Sequence, residues 1–599
     1  MNNKLRTYIG KRKKIINKVH RTCLDIKRLV IRKKILSICI LVAIAVLGTG
    51  TYLLYKSDKK ISEPAVNITS NDAEKYFYAA DYSKAIEEYN KLFCKDKANP
   101  LWLIKIAEVY SVKGDIENSN KYEEEAIQLK NKNKEDSKII SQKNYLQKDS
   151  EVANYIIFTS YMNKDFTKAL QYGDNALKEF KTDKKIIKTM IPVYMANGEK
   201  DKAKSLIDNY PLDKTSSFDT ALYASLELSV DNWDSGLKLL KDAWYISRDE
   251  YKVFDVLAQM SAYNKDELLE KITDIFNKNP DEPAYKMWLA KIYSMRQETT
   301  DLAQKYLDDA SKTNIGTLEK VLVQASIYEN SNQIDKANSM INALISSNSD
   351  DYRILHTAAW FYLEKKDYDE ALKYCKMSIV KNKQYADNYG MLMPEILKAM
   401  DKSGEGEPYF RTALYIEPYN SNIMNNLANY YWNTAKNTDK ALEYFNFAEI
   451  VRPADPEIKY NISMINISNN KFDEAINKLN ECMQIDATVP KYHRTLGTIY
   501  MQQQKYDLAI KEIRNAYQSD NNDIMSLNNA GCYYIIVENN LDKGLYNIQK
   551  AKEGIANSSD EYTKNTINDN YSKVQKLIEQ YKSSPNNTSI KLPDFVLFY

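Results

Sequence analysis

Residues 489–520 read VPKYHRTLGTIYMQQQKYDLAIKEIRNAYQSD. Tyr506, Ala509, Ile513 and Ala516 recur at steps of three and four, which puts them on one face of a helix. Leu496, Gly497 and Tyr500 mark a second helix upstream in the same way. Ala509 is the informative position, because a small residue there lets the two helices approach closely.

That small residue recurs as Ala85, Ser119, Ala169, Ala203, Gly236, Ala303, Ala337, Ala371, Gly406, Ala441, Ala475, Ala509 and Gly544, with Leu269 filling the gap after Gly236. The steps are 33 to 35 residues, except for one of 50 between Ser119 and Ala169. Other positions travel with it. Three residues earlier stand Tyr82, Phe166, Trp233, Tyr368 and Phe472, and four later stand Tyr89, Leu240, Leu307, Phe445 and Leu479. Pro418 and Pro453 close two of the units, where a helix must stop. One helical hairpin cannot bury both its faces, so each unit needs its neighbours. Tyrosine suits the seams, since its ring packs while its hydroxyl stays at the surface, and this accounts for much of the 47 Tyr.

A 34-residue helix–turn–helix with these small and aromatic positions resembles the tetratricopeptide repeat (TPR). The resemblance covers residues 66–558 in about fourteen copies. It implies an all-α fold, a right-handed superhelix or α-solenoid. Gly (15) and Pro (14) are too scarce for an all-β protein of 599 residues, which needs many tight turns. The array also needs an end, and Tyr571, Val574, Leu577, Ile578 and Tyr581 keep the helical spacing of a capping helix.

The N-terminus differs from the rest. Residues 1–60 carry a net charge of +14 and the remaining 539 a net of −11, so the array is mildly acidic and no nucleic acid is expected as a partner. Residues 35–55 (ILSICILVAIAVLGTGTYLLY) hold no charge, and as a helix they would span roughly 30 Å, the thickness of a bilayer core. Basic residues crowd the N-terminal flank, so an uncleaved signal-anchor is expected, with its N-terminus cytoplasmic and the array outside, as at a bacterial cell membrane. Ile16, Val19, Cys23, Ile26 and Val30 give residues 4–34 an amphipathic helical pattern able to lie on anionic lipid. The expected organisation is a basic arm (1–34), a transmembrane helix (35–55), a flexible stalk (56–70), repeats 1–2 (71–130), an insertion (131–149), repeats 3–14 (150–558), a capping helix (559–582) and an apolar tail (583–599).

No catalytic constellation is legible. Phosphate loops, HExxH and GxSxG are absent, the six cysteines form no CxxC pair, and His356 and His493 stand 137 residues apart. Neither an enzyme nor a bound metal or cofactor is expected. The resemblance implies instead a scaffold or adaptor whose first helices line a groove for protein or peptide partners. Carried onto this chain, the groove positions are Asn425, Asn429, Trp432 and Asn433, then Tyr460 and Met464, then Arg494, Thr498 and Met501, then Asn528 and Cys532. Amide side chains donate and accept at once, which suits a peptide backbone. Asn426, Asn461 and Asn529 share one repeat position, as in an asparagine ladder. The last ten residues, IKLPDFVLFY, are apolar after a polar stretch, and three fates are open to them: packing on the array, strand addition to a partner, or threading a groove. The alternative function is a cytoplasmic-facing adaptor or regulatory subunit that recruits a separate enzyme to the membrane.

Overall fold

Every regular element among the described residues is a helix, and the helices come in hairpins at the spacing set by the small residues. The computed structural model describes residues 66–137, 146–247, 251–347, 350–557, 560–583 and 591–599. The basic arm, the apolar segment 35–55 and residues 56–65 of the stalk lie outside that range. Among the described residues no helix is long and apolar enough to cross a membrane.

The hairpins owe their regularity to the turn. Five residues before the small residue, the backbone takes a positive φ at Ala80, Gly114, Lys164, Gly198, Asp231, Asn332, Lys366, Asp401, Lys436, Asn470, Gln504 and Asn539. In one such turn Lys164 has φ 64°, and the Asp165 N–H donates to the Ser160 carbonyl at 3.0 Å. The Asp165 carboxylate then accepts from the Lys168 N–H at 3.0 Å and starts the second helix. The left-handed residue thus ends one helix and its neighbour caps the next.

The small residues lie where the sequence requires them. Ala85, Ala169, Ala203, Ala303, Ala337, Ala371, Ala441, Ala475 and Ala509 are completely buried. At Gly544 a Cβ would fall 2.2 Å from Ile535 Cγ1 and 3.1 Å from the Gly531 carbonyl oxygen, so any larger residue would force the pair apart. The hairpin read around Leu269 does not form; Tyr251–Lys278 is one continuous helix of 28 residues. Leu269 is too large to let two helices close, and the chain runs straight through. The helices Ile116–Ser137 and Leu146–Met162 both extend into the insertion at 131–149, whose residues 138–145 lie outside the described range.

The early repeats are also covered by a later part of the chain. Their first helices are α1 (Leu101–Lys113), α2 (Leu146–Met162), α3 (Lys184–Ala196), α4 (Ser217–Ser229) and the start of α5 (Tyr251–Lys278). Against them lie two second helices, α6 (Glu407–Ile416) and α7 (Thr438–Val451), with their flanking residues. On α1, Glu108 takes both nitrogens of an Arg411 fork at 2.9 Å, and the Val112 carbonyl accepts from Lys440 Nζ at 3.1 Å. On α2, Tyr155 stacks on Tyr415 with ring centroids 4.0 Å apart, and Tyr161 meets Phe447 at 5.0 Å. Lys188 of α3 donates to the Ile416 carbonyl at 2.8 Å, and Lys252 of α5 pairs with Glu417 at 2.9 Å. Just past α7, Arg452 donates to the Leu228 carbonyl of α4 at 3.3 Å. This cover explains why α3 is buried without a break from Ile186 to Tyr194, whereas the uncovered first helix Thr317–Asn330 buries only Leu318, Glu319, Val323, Ala325 and Ile327. The first-helix surface of the early repeats is therefore used internally.

Candidate peptide-binding groove

The last repeats present a different first-helix surface, formed by α8 (Pro490–Gln502), α9 (Ile524–Ile536) and α11 (Glu561–Ser583), with α10 (Leu541–Gly554) behind them. The extended tail, residues 591–599, lies along it. Two asparagines hold the tail by its backbone. Asn570 donates Nδ2–H to the Val596 carbonyl at 2.7 Å and accepts the Val596 N–H on Oδ1 at 3.1 Å. Asn529 does the same to Phe598, donating at 2.6 Å and accepting at 2.8 Å. In an extended chain the N–H and C=O of alternate residues point the same way, so two amides can read residues i and i+2 from one side.

Neighbouring groups fix those amides. Asn529 Nδ2 also donates to Thr498 Oγ1 at 3.0 Å, and Asn570 Nδ2 donates to Asn528 Oδ1 at 2.9 Å. Thr498 Oγ1 donates to the Phe598 carbonyl at 2.6 Å, Asn528 Nδ2 to the Val596 carbonyl at 3.0 Å, and Lys573 Nζ to the Asp594 carbonyl at 2.6 Å. Arg494 spans the far end: its Nε donates to the Tyr599 carbonyl at 3.1 Å, while its Nη1 pairs with Asp523 at 2.5 Å. Asp523 is itself the cap of α9, accepting from the Ser526 N–H at 3.1 Å, so the guanidinium is oriented by a helix terminus. Asn528, Asn529 and Asn570 are fully buried, and a buried amide must find partners; the tail backbone supplies them.

Side chains add two pockets. Phe595 enters a cluster with Cys532, Ile535, Ile548, Val574 and Leu577. Phe598 packs with Leu527, Ala551 and Ile567, and meets the edge of Tyr562 at 6.3 Å. Leu597 lies against Met501, Ala530 and Tyr533, and Tyr599 against Tyr492, Leu496 and Ile499. Val596 stays exposed. Cys532 holds no reactive thiolate here, since burial pushes its thiol up to about 12.

The structure separates the sequence-predicted groove residues into two groups. Arg494, Thr498, Asn528, Met501 and Cys532 touch the tail or its clusters, and Tyr460 and Met464 border the cluster that receives Tyr599. Asn425, Asn429, Trp432 and Asn433 sit on the helix Ser421–Asn429 and the π-turn after it, away from the tail; Trp432 packs edge-on to Phe445 at 6.4 Å, and Asn433 is exposed. Of the ladder positions, Asn529 binds the tail, whereas Asn426 donates to Met391 Sδ at 2.6 Å. Asn570 and Lys573 escape sequence reasoning because they belong to the capping helix, outside the 34-residue register.

The two histidines among the described residues are accounted for structurally. His356 Nδ1 lies 2.8 Å from Asn388 Oδ1 and its Nε2 accepts from Trp360 Nε1 at 3.0 Å; burial pushes its pKa down to about 4, so it is neutral. His493 pairs with Glu512 at 2.6 Å, which raises the imidazole pKa and lowers that of the carboxyl. Among the described residues no group of three His, Cys, Asp or Glu is placed to hold a metal ion.

A family model described as tetratricopeptide repeat matches residues 493–523, the stretch that carries Arg494, Thr498 and Met501. This stretch of the chain is a tetratricopeptide repeat. Among solved structures, the Naa15/Naa10 complex bound to HypK-THB is similar over 86% of this chain and 96% of that one, at 12% identity and a TM-score of 0.33. The APC/C hetero-tetramer Cut9–Hcn1 is similar over 84% and 95%, at 15% identity and a TM-score of 0.30. Pseudomonas aeruginosa pilF is similar over 38% and 96%, at 13% identity and a TM-score of 0.30. No curated protein matches the sequence.

Proposed function

We propose that this TPR protein is a membrane-anchored scaffold that holds protein or peptide partners on the first-helix surface of its late repeats. The observation that carries the reading is the pair of amides, Asn529 and Asn570, each engaging both backbone groups of one residue in an extended chain. Such amides grip a polypeptide backbone whatever its side chains. Tyr460 and Met464, then Asn425, Asn429, Trp432 and Asn433, extend the reading toward earlier repeats of a right-handed superhelix.

The anchor is the charge-free segment 35–55, with the basic arm left in the cytoplasm, where residues 4–34 rest on anionic lipid, and the array displayed outside. Protease shaving of intact cells tests the sidedness. Fragments from residues 71–599 are expected before the membrane is opened; resistance until it is opened would favour the cytoplasmic-facing adaptor. Mild crosslinking of the full chain, followed by identification of what it holds, tests the scaffold role. Client recovery is expected to fall when Arg494, Asn528 and Tyr460 are changed together to Ala, and recovery that is unaltered sinks the assignment of this surface.

A further inference from the structure

We propose that the α8–α9–α11 groove is a binding site for an extended peptide segment with two large apolar side chains three residues apart, and that the chain's own tail is a resident occupant which such a segment of another protein displaces. The inference deepens the scaffold reading and rests on it, since it names what the late repeats recognise.

The contacts divide into those that read sequence and those that do not. Asn529, Asn570, Thr498 and Asn528 bind only backbone atoms of residues 596 and 598. Any residue except proline offers the same N–H and C=O there. Selectivity falls to the enclosed side chains, Phe595 and Phe598, each under one-tenth exposed, whereas Val596 and Asp594 between and beside them face solvent. The pattern read is therefore aromatic or large apolar, one free position, a half-buried apolar position, then aromatic or large apolar. An occupant is favoured, because Asn529 and Asn570 each give up a backbone carbonyl and a backbone N–H when the tail leaves and keep Thr498 and Asn528 as partners. The tail also has an advantage that a separate peptide lacks: tethering gives it an effective concentration on the order of millimolar. A free peptide of equal intrinsic affinity is thus excluded until the tail is weakened or the partner makes a second contact with the array.

The experiment titrates a fluorescent peptide of sequence KLPDFVLFY into the full chain and into a full chain carrying Phe595→Ser and Phe598→Ser. The weakened chain is expected to bind at least tenfold more tightly than the unaltered one. Adding Asn529→Leu and Asn570→Leu should abolish that gain, with helix content checked by circular dichroism. Among peptides, the change equivalent to Phe598→Ser should cost at least tenfold and that equivalent to Val596→Ser less than threefold. A weakened chain that keeps its helix content yet binds no peptide overturns the proposal, and equal losses for the two peptide changes overturn the pattern. The titration needs no membrane and no native client. A failed titration beside successful client recovery therefore removes this site and leaves the scaffold, while a successful titration with no client recovered does the opposite.

Discussion

Replacing Arg411 by Met should loosen two segments 303 residues apart at once. The Arg411 guanidinium gives Nε and Nη2 to the two oxygens of Glu108, both at 2.9 Å, and Nη2 also reaches Ser111 Oγ at 3.0 Å. The side chain lies over the Phe158 ring at 5.4 Å, and both charged residues are under one-tenth exposed. Without Arg411, Glu108 is a buried carboxylate whose remaining donor is Thr159 Oγ1 at 3.2 Å. An uncompensated buried charge of this kind costs about 3–5 kcal/mol, against about 1 kcal/mol or less for an exposed pair. Changing Glu108 and Arg411 together to Met should recover most of the loss, because the desolvated charge is gone and the volume is kept. Hydrogen exchange read by mass spectrometry is the assay. Protection should fall in both Leu101–Lys113 and Glu407–Ile416 of the single variant and return in the double. A single variant that loses less than about 1 kcal/mol, or loses protection in only one segment, would refute the closure of α6 onto α1.

Four further outcomes follow from single sites. His356 is held neutral with its pKa near 4, below the usual 6.5, so the unfolded chain takes up a proton first as pH falls. Stability should drop by up to about 3 kcal/mol between pH 6.5 and 4, and His356→Gln should flatten that slope in urea titrations. His493 has the opposite sign: its raised pKa stabilises below about 6.5 and the benefit fades as pH rises through the folded value, so His493→Gln should destabilise more at pH 6 than at pH 8 in the same titrations. Gln504 sits at φ 58°; Gln504→Gly should be tolerated or stabilising, whereas Gln504→Val should lower stability by about 1–2 kcal/mol in thermal melts. Cys94 is exposed while Cys532 is buried under the tail, so iodoacetamide should label Cys94 quickly and Cys532 only on unfolding, as mass spectrometry would record.

The hairpins were legible because their determinants are local. Ala509 and its equivalents mark where two helices must touch, and that demand recurs every 34 residues whatever the remainder of the chain does. The surface that the tail covers was legible in part for the same reason: Arg494, Thr498 and Asn528 occupy fixed repeat positions. Leu269 misled the reading because its spacing is right while its volume is not. Asn570 and Lys573 were hidden by the break in register before the capping helix. The pairing of Glu108 with Arg411 had no periodic trace at all. A buried ion pair between distant repeats leaves only two ordinary charged residues, each looking like part of a solvated helix face.

The two internally used surfaces differ in what would undo them. The early repeats are closed by side chains that recognise one another, such as Arg411 with Glu108 and Lys252 with Glu417, so a foreign segment would have to reproduce buried charges in register. The late repeats are closed by amides that recognise only a backbone, so a foreign strand needs no more than the right spacing of apolar residues. Between them the first helices Pro283–Ser294, Thr317–Asn330 and Tyr352–Glu364, with α5, border a cavity of about 270 Å³ walled by Tyr251, Asp255, Lys291, Glu329 and Trp360. Burial pushes the Lys291 ammonium below the usual lysine range and the Asp255 and Glu329 carboxyls above theirs, so a ligand entering there meets groups whose charges are already disfavoured. Exchange of one polypeptide for another is therefore easiest at the late repeats.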